Sequence, residues 1–177
     1  MENKTHLNAH EKTGHEAHKA HAPKHLNLAV LTVSDSRTKE TDESGKLMVE
    51  GLKEAGHHVK HYELVKDDFR AIRSAILDMA KDVDVIIANG GTGISRRDVT
   101  IECVGSLLHK RLDGFGELFR KLSYEEIGSP AVMSRALAGT FGNKVIICLP
   151  GSPQAVELAM KRLLLPELGH MVFESSR

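Results

Sequence analysis

The sequence is poor in cysteine and aromatic residues, and it lacks both a net charge and a long apolar run. Its 177 residues include two cysteines and no tryptophan, and 24 lysines and arginines balance 24 aspartates and glutamates. A balanced charge gives no electrostatic reason to expect nucleic acid or an anionic membrane as a partner. Every apolar stretch is far shorter than the roughly 20 residues of a transmembrane helix, so we expect no membrane span.

The cysteines and the first residues also give no sign of export. Only Cys103 and Cys148 could form a disulfide, and Cys148 lies in an apolar run at residues 145–149, where a small buried thiol is the ordinary interpretation. Residues 1–10 are polar and lack the apolar core that a secretory signal requires. We therefore expect a cytoplasmic protein in a reducing compartment.

Residues 1–25 differ in composition from the rest of the chain. They contain almost no large apolar side chain, so we expect a disordered tail followed by one domain at residues 26–177. Histidines recur through this tail at spacings that would share one face of a transient helix: His6, His10, His15, His18, His21 and His25. The tail is therefore either a solvated segment or a chelator of zinc or nickel.

From Leu26 onward, short apolar runs alternate with helical patterns. Residues 28–33, 83–88 and 144–149 are typical of buried strands, and residues 59–65 form a weaker candidate. Apolar residues at helical spacing lie between these runs. The pattern predicts that the region 114–139 is helical in pieces, with Leu118 on the same side as three other apolar residues, and that a final helix at 155–165 ends before Pro166. The pattern predicts a three-layer α/β/α sandwich with a mostly parallel sheet.

Three polar or glycine-rich loops follow predicted strands, at residues 34–37, 89–98 and 150–153. The carboxyl ends of parallel strands meet at one edge of a sheet, where ligands bind in open α/β folds. We therefore expect these loops to form a common site.

The segment Gly90-Gly91-Thr92-Gly93 places three glycines between a strand and a helix. Its backbone can present N–H groups to an anion with no side chain in the way, which favours a phosphate site. No Gly-Lys-Ser/Thr follows, so it is not a P-loop, and Arg96 replaces the third glycine of the dinucleotide fingerprint. A plain turn is the structural alternative.

Charged side chains follow directly, with Arg96 and Arg97 suited to phosphate and Asp98 suited to magnesium beside it. Asp67, which follows the second predicted strand, could supply a second carboxylate to the metal. The alternative for either aspartate is the N-cap of the next helix, a position for which Asp68 competes with Asp67.

Two further loops offer polar groups at the same edge. Residues 34–37 carry hydroxyls, a carboxylate and a guanidinium, and form either a binding loop or a polar turn. Residues 150–153 form a stiff bend in which Gly151 could let a ligand come close, although a turn alone also explains them.

Five ordered blocks of the sequence resemble the MoaB/Mog family of molybdenum cofactor biosynthesis. The similarity runs from about residue 26 to residue 168, and residues 122–128 resemble the MoaB branch in particular. The blocks are Thr32–Ser36, Asn89–Gly93 with Arg97–Thr100, Gly114–Glu117, Ser134–Ala136 and Leu149–Pro153.

This resemblance implies a trimer-forming or hexamer-forming enzyme that transfers AMP from magnesium-bound ATP to the terminal phosphate of molybdopterin. Asp98 and Asp67 correspond to the magnesium and catalytic carboxylates. The matching positions of the phosphate-binding loop are Gly90, Gly91, Thr92 and Gly93, and those that line the pocket are Ser34, Asp35, Ser134, Gly151 and Ser152. The molybdenum-insertion protein is a further partner that the resemblance allows. The alternatives are a noncatalytic molybdopterin-binding scaffold and a nucleotide phosphohydrolase on the same fold.

Overall fold

A six-stranded sheet forms the centre of the computed structural model, which describes residues 22–177. The strands are β1 (Asn27–Val33), β2 (His58–Val65), β3 (Val85–Asn89), β4 (Lys110–Arg111), β5 (Leu137–Phe141) and β6 (Lys144–Leu149). The strands β2, β1, β3 and β6 lie side by side in that order and run parallel, and β5 and β4 extend the sheet with antiparallel pairing.

Helices cover both faces of this sheet, which confirms the predicted three-layer sandwich. One hydrophobic cluster joins the sheet to α1, α4, α5 and α6, and a second joins its other face to α2 and α3. The helices are α1 (Glu43–Glu54), α2 (Phe69–Met79), α3 (Thr100–Leu107), α4 (Asp113–Ile127), α5 (Pro153–Ala159) and α6 (Leu165–Ser175), with a short 3-10 helix at Ser129–Met133.

The strand β1 shows why the apolar runs are continuous. Leu28 and Val30 enter one cluster, whereas Ala29 and Leu31 enter the other, and all four are fully buried. A strand covered on both faces has no solvent side on which polar residues could alternate.

The region 114–139 differs from its prediction at its end. It contains α4 and the 3-10 helix, but its last residues begin β5, which pairs with β6 in an antiparallel direction. Gly139 explains part of the difference, because a Cβ there would meet the carbonyl oxygen of Lys110 across the sheet. Pairing with two neighbouring strands outweighs the weak local signal. Leu118 also differs from the prediction, because it is 52% exposed and does not pack on the buried side of α4.

The last helix does not stop before Pro166. A π-helical turn at Met160–Leu164 connects α5 to α6, and the N–H of Leu165 donates to the carbonyl of Met160 five residues earlier. Proline has no N–H and crowds the preceding turn, and a π turn is a known accommodation of such a disturbance. Leu168 and Val172 are buried on the continuation, so packing holds α6 beyond the proline.

Most of the predicted tail, residues 1–21, lies outside the described part of the chain. His25 is the last residue of that predicted segment, and its Nδ1 lies 2.7 Å from the carbonyl oxygen of Gly56. Leu26 is 2% exposed and belongs to the first hydrophobic cluster. Between residues 22 and 177, no helix is long and apolar enough to cross a membrane.

Candidate active site at the carboxyl edge of the sheet

A cavity of about 510 Å³ lies at the carboxyl ends of the parallel strands. The chain leaves β1 toward β2 on one side and β3 lies on the other side of β1, so the cavity occupies the switch point of the topology. The loops predicted to meet do so here. Lining residues include Ser34, Arg37, Asp67, Gly90, Gly91, Thr92, Gly93, Asp98, Met133, Ser134, Gly151 and Ser152.

The glycine-rich loop is fixed at its first residue. The N–H of Gly90 donates to the carbonyl of Leu149 at the end of β6, at 3.1 Å. The hydroxyl of Thr100, at the start of α3, donates to the carbonyl of Gly90 at 2.9 Å. Both glycines at the bend have positive φ angles, 89° at Gly90 and 59° at Gly91, a conformation that glycine adopts without steric cost.

The next amides of this loop are available to a ligand. Among residues 22–177, the N–H groups of Gly91, Thr92 and Gly93 have no hydrogen-bond partner. Consecutive unpaired N–H groups at a turn form a concave site for an anion. The backbone therefore has the form expected of a phosphate cradle.

The glycines also make room for two carboxylates. A Cβ on Gly91 would collide with Oδ1 of Asp67, and a Cβ on Gly93 would lie 2.8 Å from Oδ2 of Asp98. Both aspartates therefore lie directly against the loop.

Asp67 and Asp68 have separate roles. Asp68 is the N-cap of α2, where its Oδ1 accepts hydrogen bonds from the amides of Arg70 at 3.0 Å and Ala71 at 2.8 Å. Asp67 lines the cavity, and its Oδ1 is buried without a hydrogen-bond partner in the described chain. Burial raises the pKa of Asp67 above its ordinary value, and the carboxylates of Asp35 and Asp98 raise it further.

Asp98 is not a helix cap either. The helix α3 begins at Thr100 with Val99 as its N-cap, and no side chain caps it. Oδ2 of Asp98 instead accepts a hydrogen bond from the amide of Ser95 at 2.8 Å, which closes a turn within its own loop. The structure thus excludes the capping alternative for both candidate metal ligands.

Arg96 and Arg97, which were suited to phosphate by their position in the sequence, do not line the cavity, and Asp35 is the one predicted pocket residue that does not line it either. Its carboxylate forms an ion pair with Arg97 at 2.5 Å. This pair joins the loop after β1 to the glycine-rich loop, so Asp35 lies beside the site as a link between its walls.

Some residues that shape the site were not named individually as site residues from the sequence, although one of them, Arg37, supplies the guanidinium of the loop at residues 34–37. Arg37 and Met133 line the cavity, and Arg135 donates from Nη1 to the carbonyl of Gly93 at 2.8 Å. Arg135 also pairs with Glu102 on α3. Arg37 lies in the polar loop at residues 34–37 and Arg135 lies in the block Ser134–Ala136, both singled out from the sequence, whereas no local pattern marks Met133.

Arg37 is oriented by a buried carboxylate. Its Nη1 donates to the hydroxyl of Ser44 at 2.6 Å and lies 3.6 Å from Oδ1 of Asp42. Asp42 is fully buried and caps α1, and it accepts hydrogen bonds from the Gly45 amide at 3.0 Å, the Ser44 hydroxyl at 3.1 Å and the Tyr62 hydroxyl at 2.8 Å. Burial alone would raise the pKa of Asp42, but the Thr32 side chain together with these hydrogen bonds more than offsets it and holds the pKa below its ordinary value.

Fold and cavity together define a three-layer α/β protein with a candidate phosphate site at its switch point. The family model described as a probable molybdopterin binding domain matches residues 29–170. The chain belongs to this family, as a member of the MoaB/Mog group of molybdenum cofactor biosynthesis proteins.

Relatives and solved structures agree with this assignment. The chain is 58% identical over 163 residues to molybdenum cofactor biosynthesis protein B of Bacillus anthracis, covering 90% of this chain and 96% of that protein. Identity to the Bacillus subtilis protein of the same name is 52%, with 90% and 95% covered. A crystal structure of a molybdenum cofactor biosynthesis protein B matches with a TM-score of 0.84 at 57% identity, covering 87% of this chain and 98% of the other. The tungsten cofactor synthesizing protein MoaB from Pyrococcus furiosus matches with a TM-score of 0.80 at 38% identity, with 88% and 100% covered.

Proposed function

We propose that this protein adenylylates molybdopterin, using magnesium-bound ATP and releasing pyrophosphate. The observation that carries the proposal is the pair of carboxylates, Asp67 and Asp98, packed against a glycine loop in which the amides of residues 91–93 are unpaired. Two carboxylates beside a phosphate cradle would repel an anionic ligand unless a cation lay between them. The family membership supports molybdopterin as the second ligand.

The residues present fit a magnesium ion shared with phosphate oxygens. Oδ1 of Asp67 is a buried oxygen without a partner, and the pKa of Asp67 is raised by burial and by the carboxylates of Asp35 and Asp98, so a cation would relieve both conditions. Within residues 22–177 no three metal-binding side chains cluster to hold an ion alone. This agrees with the preference of Mg²⁺ for one or two carboxylates together with substrate phosphates. When bound, magnesium would offset the charge that the ATP phosphates carry in the transition state.

The proposed reaction joins two phosphates without a covalent enzyme intermediate. An oxygen of the terminal phosphate of molybdopterin attacks the α-phosphorus of ATP, a new P–O bond forms, and the bond to the β-phosphate breaks with its electrons leaving on pyrophosphate. The protein contributes alignment and charge compensation, the principal sources of catalysis in phosphoryl transfer.

We also propose that the chain forms a homotrimer or a dimer of trimers. An apolar surface on α4 and the 3-10 helix supports an association, because Tyr124 is 64% exposed and Val132 is 81% exposed, with Leu118, Ile127 and Met133 also exposed. Exposed apolar patches of this kind mark protein interfaces. Met133 belongs both to this surface and to the cavity lining, so association would place a subunit boundary beside the site. Light scattering that finds a monomer at micromolar concentration would refute this part of the proposal.

The decisive experiment is incubation of the protein with molybdopterin, ATP and magnesium, followed by mass detection of the adenylylated pterin. We expect the product, one pyrophosphate for each pterin consumed, and no reaction when magnesium is chelated. Molybdopterin binding without product would instead identify a scaffold. Release of AMP or pyrophosphate from nucleotide alone would identify a phosphohydrolase.

A further inference from the structure

The cavity has two ends of opposite charge. Asp67 lies against Gly91 at one end, and at the other a Cβ on Gly151 would be 3.9 Å from Nη1 of Arg37. Between these ends Gly90 and Gly151 touch, since a Cβ on Gly151 would lie 3.0 Å from the Cα of Gly90. Glycine backbone therefore forms a floor between the carboxylate end and the guanidinium end.

Arg37 has donor capacity that the protein does not use. Among the residues that the structure describes, Nη1 has partners in Ser44 and Asp42, whereas Nη2 and Nε have no hydrogen-bond partner. The described lining of the cavity contains no other lysine or arginine. A guanidinium fork anchored at one nitrogen and open at the other two matches two oxygens of a phosphate.

Neutralisation of Asp42 alone does not account for this arrangement. Asp42 already accepts hydrogen bonds from Gly45, Ser44 and Tyr62, and the shorter contact of Arg37 is with the neutral hydroxyl of Ser44. The buried carboxylate and the capped start of α1 instead hold the guanidinium at the cavity wall.

We infer that Arg37, positioned by Asp42, binds the phosphate monoester of the pterin substrate at the end of the cavity opposite the metal-bearing nucleotide. The inference rests on the proposed adenylyl transfer, which requires two phosphate groups in one cavity. In the proposed reaction, the nucleotide phosphates bind at the carboxylate end of the cavity through magnesium. A phosphate without a metal needs a cation from the protein, and Arg37 is the one that the described lining offers.

The test compares binding of the two substrates in the full-length protein. Arg37→Ala should raise the dissociation constant of molybdopterin about ten- to a hundredfold, the usual effect of losing charge-assisted hydrogen bonds. The KM of magnesium-bound ATP should stay within about twofold, because the nucleotide lies at the other end. Arg37→Lys should recover part of the loss, since lysine keeps the charge without the fork. The matched control is Arg73→Ala, an exposed arginine on α2, which should change neither value.

Two further measurements separate a ligand contact from a structural role. Millimolar guanidinium should restore molybdopterin binding to Arg37→Ala, whereas sodium chloride at equal ionic strength should not. Asp42→Asn can still accept from the Gly45 amide, and it should weaken molybdopterin binding in the same direction as Arg37→Ala without changing the KM of ATP.

Unchanged molybdopterin affinity in Arg37→Ala, or a loss confined to ATP, would overturn the inference. Molybdopterin binding is measured without ATP, so it is independent of turnover. A wild-type protein that forms no adenylylated pterin but loses molybdopterin affinity on Arg37→Ala would refute the proposed activity and still support the phosphate contact.

Discussion

Asp42 and Asp67 are two carboxylates at the same edge of the sheet with opposite surroundings. Asp42 is fully buried and accepts three hydrogen bonds, and these together with the Thr32 side chain hold its pKa below the ordinary value. Asp67 is only half-buried, yet its Oδ1 has no partner in the described chain and its pKa is raised by burial and by neighbouring carboxylates. The more deeply buried carboxylate, Asp42, is therefore the one whose charge the protein stabilises.

The difference separates a carboxylate that the fold uses from one that the fold leaves for a ligand. A buried charge that the protein satisfies contributes to structure, whereas an unsatisfied one costs stability unless a ligand completes it. Perturbed groups of the second kind are concentrated at functional sites. The comparison predicts that substitution of Asp42 will mainly change stability, whereas substitution of the cavity carboxylates Asp67 and Asp98 will mainly change turnover.

The largest expected effect is a loss of turnover when Asp98, at the carboxylate end of the cavity, is changed. Asp98→Asn keeps the size of the side chain and can still accept from the Ser95 amide, so the loop should survive. Turnover should fall about a thousandfold, because metal charge stabilisation is worth several kcal/mol in the transition state. Single-turnover rates at saturating ATP and magnesium provide the measurement, with the exposed Asp78→Asn on α2 as control. Near wild-type rates would remove Asp98 from the mechanism.

The next largest effect is a loss of stability when the hydrogen-bonded carboxylate of Asp42 is removed. Asp42→Ala removes the N-cap of α1 and leaves the Tyr62 and Ser44 hydroxyls without their acceptor. We expect a loss of about 3 kcal/mol in the free energy of unfolding, from one cap and unpaired buried groups. Urea unfolding measures it, and Asp42→Asn, which can still cap, should lose clearly less. An unfolding free energy equal to that of wild type would show that Asp42 is not a structural carboxylate.

Adjacent aspartates provide a sharper comparison with a smaller effect. Asp68→Ala should lower the unfolding free energy by about 1 kcal/mol through loss of the α2 cap, while turnover stays unchanged. Asp67→Asn should instead abolish most turnover and leave the cap intact. Thermal unfolding and product formation are measured on both variants. Loss of turnover in Asp68→Ala at constant stability would reverse the assignment.

The smallest effect is a pH dependence of stability. Because the folded pKa of Asp67 lies above its ordinary value of 3.8, the folded protein retains a proton that the unfolded chain has already lost. The contribution of Asp67 to the free energy of unfolding should therefore fall as pH rises through this window, and its full penalty should remain at neutral pH. Without magnesium and nucleotide, Asp67→Asn should melt higher than wild type near pH 7, and the difference should vanish below 3.8. A variant that melts lower at neutral pH would contradict the strained state of Asp67.

Local patterns predicted the four parallel strands and the position of the glycine-rich loop. The run at residues 144–149 matches β6 in full, because a strand buried on both faces must be apolar throughout. The glycines at 90, 91 and 93 predicted either a phosphate cradle or a plain turn, and the sequence alone did not decide between them. The three loops met at one edge because their strands are parallel.

Tertiary structure alone decided which polar groups face the cavity. Asp67 and Asp68 are equivalent by composition, and only the start of α2 assigns the cap to one and leaves the other to the site. The carboxylate of Asp35 pairs with Arg97. Arg37 instead lines the cavity, because Asp42 and Ser44 at the start of the next helix contact its guanidinium. The strand β5 exists because β6 and β4 supply hydrogen-bond partners on both sides. In each case the deciding partner is on another element, and a short window of sequence carries no information on it.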